Sequence, residues 1–166
     1  MTTGTKSLVV AATAAACIAA ASVPAMAEVV LYASKSSNFS FTTATAMVPL
    51  KGNGRTSLSF VFSENPKGMR VITFSAECAV DAPAGSFTGW VDIDILVNGI
   101  AVPPTDQTSD AFCSSNGTVG FDGWATQSIS VARKLNAGPH TIEVRARLNG
   151  GATGGWISDT ALVVFD

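Results

Sequence analysis

Apolar and polar residues alternate along much of this chain with a period of two. In 38–47, Phe39, Phe41, Thr43, Thr45 and Met47 fall on one face. Leu58, Phe60 and Phe62 alternate against Ser57, Ser59 and Val61. Ile72, Phe74, Ala76 and Cys78 share a face opposite Val71, Thr73, Ser75 and Glu77. Val91, Ile93, Ile95 and Val97 alternate with Asp92, Asp94, Leu96 and Asn98. The clearest case sets Ile142, Val144, Ala146 and Leu148 against Thr141, Glu143, Arg145 and Arg147. Segments 125–131 and 156–165 complete the series. This period predicts strands with one buried and one wet face, hence antiparallel sheets.

Turn signals separate these segments. Lys51-Gly52-Asn53-Gly54-Arg55, Asn65-Pro66-Lys67-Gly68 and Asp81-Ala82-Pro83-Ala84-Gly85 break the pattern. Asn98-Gly99 predicts a type I′ hairpin into Ile100–Val102, because both residues accept positive φ. Asn136-Ala137-Gly138-Pro139 introduces the strand at 140–148, and 149–155 is a glycine-rich connection. Pro103–Gly123 reads as the longest irregular stretch. About eight to ten short strands with closely spaced turns predict an all-β fold. So many inward Phe, Val and Ile side chains need a second sheet facing the first, which makes it an antiparallel two-sheet β-sandwich.

The first 27 residues depart from this pattern. Lys6, the apolar run Leu8–Ala21 and Ala25-Met26-Ala27 form the tripartite pattern of a cleaved secretory signal peptide. The run is short of the ~20 residues a spanning helix needs. Cleavage after Ala27 would leave 139 residues, 28–166, as a single domain with no transmembrane segment, located in the periplasm or outside the cell. Cys17 would leave with the signal. The remaining 9 basic and 12 acidic residues give a net charge of −3 and no basic run, which argues against nucleic acid as a partner. Only 13% of the chain is charged, against a usual ~25%, so Ser, Thr, Asn and Gly solvate the surface.

Export also bears on the chemistry. In an oxidising compartment Cys78 and Cys113 form one disulfide, closing a 35-residue loop. That pairing leaves no free thiol in 28–166 as nucleophile or ligand. His140, the only histidine, stands at a strand entrance with no Gly-x-Ser-x-Gly elbow in the chain. Lys51–Arg55 lacks the strand–loop–helix setting of a phosphate loop. No cofactor is expected. Asp92 and Asp94 share a strand face, roughly 7 Å apart. Their simplest role is a solvated strand face. A glycan hydrolase would need a further carboxylate opposite them. Asp106, Asp110, Asn116 and Asp122 could contribute oxygens to a calcium ion, although their spacing matches no calcium-binding repeat. Trp90, Trp124 and Trp156 each follow a glycine. Strand counting places Trp90 with Asp92 and Asp94, and Trp124 with Thr126, Ser128 and Ser130, on outward faces. Exposed indoles there could stack on sugar rings, or pack over sheet ends or a subunit contact.

Three stretches carry a resemblance: Phe74-Ser75-Ala76-Glu77-Cys78, Trp90-Val91-Asp92-Ile93-Asp94-Ile95, and Leu135-Asn136-Ala137-Gly138-Pro139-His140-Thr141-Ile142. With the terminal Ala161-Leu162-Val163-Val164, the last ~95 residues resemble small secreted bacterial proteins of jelly-roll type. Their closing strands are similar to those of C1q/TNF-like or carbohydrate-binding modules. The resemblance implies a jelly-roll sandwich and carries over no functional residue. Together these expectations describe an exported, non-enzymatic binding or structural surface module. Its partner would be a glycan, a cell-surface protein or, through outward Val71 and Leu96, further copies of itself.

Overall fold

The computed structural model describes residues 27–62, 68–105 and 110–166. The expected signal segment through Met26, the turn residues Asn65–Lys67 and the calcium candidate Asp106 lie outside the described residues. Eleven strands occur among the described residues: β1 Val29–Lys35, β2 Phe39–Phe41, β3 Thr45–Met47, β4 Ser57–Phe62, β5 Gly68–Ala82, β6 Trp90–Val97, β7 Ile100–Ala101, β8 Ala111–Ser114, β9 Gly120–Leu135, β10 Gly138–Asn149 and β11 Gly154–Phe165. Among the described residues, no helix is long and apolar enough to cross a membrane.

The strands form two antiparallel sheets. One runs β1-β11-β5-β9, with β2 also on β11. The other runs β3-β10-β6-β7, with β4 also on β10 and β8 on β6. The chain passes repeatedly from one sheet to the other, as in a jelly roll. The inward set is the one alternation predicts. Ile72, Phe74, Ala76, Cys78, Leu162 and Val164 meet Val91, Ile93, Ile95, Val97, Ile142, Val144 and Ala146 in one core. Phe74 of β5 touches Phe112 of β8 across the core, with ring centroids 5.8 Å apart. Each fully buried side chain of this kind contributes about 1.5–3 kcal/mol.

Cys78 of β5 and Cys113 of β8 are bonded, with Cα atoms 6.0 Å apart. The expected disulfide therefore clamps one sheet to the other. The Asn98-Gly99 turn is also as expected: φ is 53° and 77° at its two residues, and it joins β6 to β7. His140 is structural. Its Nε2 donates to Asn136 O at 3.0 Å, so neutral Nδ1 can accept from Asn98 Nδ2 at 3.1 Å.

Three expectations need correction. Residues 38–47 are not one strand: β2 pairs with β11 in one sheet and β3 with β10 in the other. The inward phase also changes at the crossing. Phe39 and Phe41 face the core from β2, whereas in β3 Ala46 faces it opposite Ala146. Thr45 and Met47, expected on the same face as the phenylalanines, point outward opposite Arg147 and Arg145. The stretch Pro103–Gly123 is not irregular throughout. It holds β8, and β9 begins at Gly120. Val29–Lys35, where no strand was assigned, pairs with β11 from Thr160 to Phe165.

Candidate functional site

The outer face of the six-stranded sheet carries Trp90, Asp92, Asp94 and Leu96. It is not the solvated face expected: Asp92 is 1% and Asp94 0% exposed, and Leu96 is buried too. The register explains this. β10 lies beside β6 and sets Arg145 opposite Asp94, Arg147 opposite Asp92 and Asn149 opposite Trp90. Arg145 Nε donates to Asp94 Oδ2 at 2.7 Å, and Arg147 Nη2 donates to Asp94 Oδ1 at 2.7 Å. Asn149 Nδ2 donates to Asp92 Oδ2 at 2.6 Å. Trp90 lies against Gly150, where a Cβ would come within 2.1 Å of the indole, so only glycine fits there. The long side chains of β10 thus cover acids that alternation correctly points outward.

Burial pushes the Asp92 carboxyl up to about 6. The Trp90 indole N–H and the Arg147 guanidinium favour its ionised form, whereas the charges of Asp94 and Asp110 oppose it. Trp90 Nε1 and Asp92 Oδ1 are both buried without a fully formed hydrogen bond. The indole nonetheless lies close enough to act on the acid. Below pH 3.8 the carboxyl is protonated in both folded and unfolded chains, and its burial carries no ionisation penalty. Between pH 3.8 and about 6 only the unfolded chain ionises, so stability falls as pH rises. Above that range the penalty is complete, about 1–3 kcal/mol. Asp92→Asn is expected to stabilise the fold by that amount at neutral pH and to have little effect below pH 3.8. Urea denaturation at both pH values measures the difference. Equal stabilities at neutral pH would show that Asp92 ionises without penalty.

Among the described calcium candidates, Asp122 and Asn116 are engaged by the loop itself. Asp122 is buried and accepts from Ser115 Oγ at 3.2 Å, Asn116 N at 3.2 Å and Thr118 N at 2.8 Å. It therefore anchors the loop between β8 and β9. Asn116 Oδ1 is engaged by Thr118. No cluster of three or more His, Cys, Asp or Glu suited to a metal occurs among the described residues.

Trp124 lies elsewhere, on the outer face of the five-stranded sheet. Trp90 and Trp124 therefore do not form one surface. Trp124 meets Trp156 instead. Trp156 of β11 pairs with Ala79 of β5, and β9 runs along the other side of β5. The small Ala79 side chain lets the two indoles close over it, edge to face, with centroids 4.2 Å apart. Trp124 Nε1 donates to Phe121 O at 2.9 Å. The indole is thus held at its polar atom and at its ring, yet the residue remains 55% exposed. Beside it is a shallow groove of about 180 Å³ lined by Glu77, Trp124, Ala125 and Thr126. Ser158 Oγ donates to Glu77 Oε2 at 3.3 Å and steadies this carboxylate at the groove.

A second, larger cleft of about 440 Å³ opens at the β1 edge of the same sheet. Tyr32, Ser34, Lys35, Asp159 and Thr160 are among the residues that line it. Sequence reasoning missed it because β1 starts with an unbroken apolar run, Val29-Val30-Leu31, which has no period. It also missed the contact of Trp156 with Trp124. The shared Gly-Trp sequence was the only local signal.

No protein-family model and no curated protein matches the chain. Among solved structures, the chain is similar to part of dimeric latent PorU from Porphyromonas gingivalis at 17% identity and a TM-score of 0.40. That match covers 85% of this chain and 13% of PorU, so the chain spans a small part of that protein. It is also similar to a family 35 carbohydrate-binding module from Clostridium thermocellum at 12% identity and a TM-score of 0.33, covering 80% of this chain and 97% of that one. The resemblance is weak and non-specific, and neither likeness assigns a role to any residue.

Proposed function

We propose that this chain is an exported, non-enzymatic β-sandwich module that binds a saccharide on the Trp124 platform. One observation carries the proposal: Trp124 is fixed by Phe121 O and by Trp156 yet leaves more than half of its surface in water. With its N–H engaged within the protein, the indole offers apolar ring surface, and Glu77 and Thr126 supply polar groups beside it. Apolar stacking surface with a few oriented polar groups suits a sugar, which has C–H faces and hydroxyl edges. The two-carboxylate hydrolase is the weaker alternative. Both Asp94 oxygens are ion-paired, and buried Asp92 offers a substrate no access. The Cys78–Cys113 bond supports export.

A glycan array followed by calorimetric titration tests the proposal. Trp124→Ala is expected to weaken binding at least about tenfold, equivalent to about 1.4 kcal/mol. Its midpoint of thermal unfolding should stay within a few degrees of the parent. Unchanged affinity in the variant, or no glycan bound by the parent, defeats the proposal. A subunit contact is the structural alternative, and light scattering during size exclusion measures it. Val71, 40% exposed, remains available for one, but buried Leu96 does not.

A further inference from the structure

We infer that the cleft beside Tyr32 is a second saccharide subsite, and that the outer face of the five-stranded sheet takes one linear glycan running diagonally from Trp124 to Tyr32. This rests on the binding proposed for Trp124 and extends it to a polymer and a direction.

Strand register places both sites on one face. The outward residues of β5 are Ala79, Glu77, Ser75 and Thr73. β9 sets Thr126, Ser128 and Ser130 opposite the last three. On its other side β11 sets Trp156, Ser158, Ala161 and Val163 opposite all four. β1 then sets Ser34 opposite Ala161 and Tyr32 opposite Val163. From β9 to β1 is three strand spacings, about 14 Å, and from the level of Ala79 to that of Ser75 about 13 Å along the strands. Trp124 and the cleft therefore stand about 20 Å apart on a diagonal. That span exceeds a single sugar and suits a short run of them.

The diagonal crosses Glu77 of β5 and Ser158 of β11, which face each other. Ser75, whose Oγ donates to Ser128 Oγ at 2.9 Å, flanks it, and the Thr73–Ser130 pair, bonded at 2.8 Å, lies to one side. Small side chains joined across strands make a flat track without a bulky obstruction. Glu77 is the charged residue along it, so the track lacks the cationic groups a nucleic acid requires. It also lacks the large apolar core of a protein interface. Hydroxyls and isolated charges match an uncharged polyol.

The cleft has the parts of a sugar site. Tyr32 is 60% exposed and supplies an aromatic face. Ser34, Ser36 and Ser37 supply hydroxyls, and Lys35 and Asp159 supply one charge of each sign. Lys35 Nζ is held by Ser37 O. Asp159 sits at φ 45°, where β11 has its register shift between Ser158 and Ala161. A non-glycine residue in this left-handed region is disfavoured, and bulges commonly re-aim a side chain beside a functional site. Here the bulge places Asp159 in the cleft lining.

Calorimetric titration with cello-, xylo-, chito- and laminari-oligosaccharides, dimers to hexamers, tests the inference. For the series bound, affinity should rise roughly tenfold from dimer to hexamer. Tyr32→Ala and Asp159→Ala should remove that gain while leaving dimer binding unchanged. Trp124→Ala should weaken every length. Ser75→Arg, beside the diagonal, should weaken the hexamer only. Affinity independent of length but dependent on Trp124 overturns the track and leaves the Trp124 site standing. A length gain that survives in Tyr32→Ala also overturns the track. Loss in Tyr32→Ala with none in Trp124→Ala overturns both, as does failure of every series to bind.

Discussion

Asp94→Ala is expected to destabilise the fold by about 3–5 kcal/mol, because breaking a buried ion pair strands its partners. Asp94 is fully buried, and its two oxygens receive Arg145 and Arg147 separately. The two guanidinium groups differ in how well they could adapt. Arg145 is 35% exposed at its side chain and can rehydrate, whereas Arg147 is 16% exposed and cannot do so fully. The loss should therefore fall near the lower end of the range. At roughly 4 °C per kcal/mol, unfolding would begin about 12 °C earlier. Urea and thermal denaturation of Asp94→Ala and Asp94→Asn measure this, and the asparagine should recover part of the loss. A change below about 1 kcal/mol in Asp94→Ala would mean that the acid is hydrated and the pairs are no stronger than surface bridges. Replacing all three charges with apolar residues of similar volume should recover most of the stability, since such clusters often exceed their apolar substitutes in desolvation penalty.

Removing the Cys78–Cys113 bond by paired Cys→Ala substitution is expected to cost about 3–4 kcal/mol, from the entropy of the 35-residue loop it closes. The bond joins β5 to β8, hence one sheet to the other. Its loss should favour separation of the sheets rather than fraying of one strand. Mass spectrometry of the secreted fraction provides a direct check. Intact mass should correspond to a chain starting at Glu28, and its two cysteines should resist alkylation until a reductant is added. Two thiols that react without reductant would refute the bond. A mass that retains the first 27 residues would refute cleavage.

Much of the sandwich was legible in the sequence because alternation is a local property. Ile72 to Cys78, Val91 to Val97 and Ile142 to Leu148 each identify a strand and the side that faces the core. Asn98-Gly99 identifies its turn because few residue pairs accept φ of 53° and 77° in succession. The bond between Cys78 and Cys113 follows from their being the only cysteines after Ala27. Where local pattern was absent or continuous, sequence reasoning failed. The apolar start of β1 has no period, and in 38–47 the inward phase shifts from Phe39 and Phe41 to Ala46 at the change of sheet.

The candidate site was less legible, because it depends on which strands become neighbours. Sequence placed Asp92 and Asp94 outward, and they are outward. Only the pairing of β6 with β10 brought Arg145, Arg147 and Asn149 over them and turned an expected wet face into a buried polar network. Strand counting placed Trp124 outward, but it could not show that β11 brings Trp156 to it across Ala79. Tyr32 and Asp159 are more than a hundred residues apart in the chain and line the same cleft because β1 pairs with β11. Sequence by itself determined strands, inward faces, one turn and one bond, since each follows from residues close together or from a unique pair. Tertiary structure decided what covers the outer faces, because covering is supplied by neighbours that local spacing does not specify.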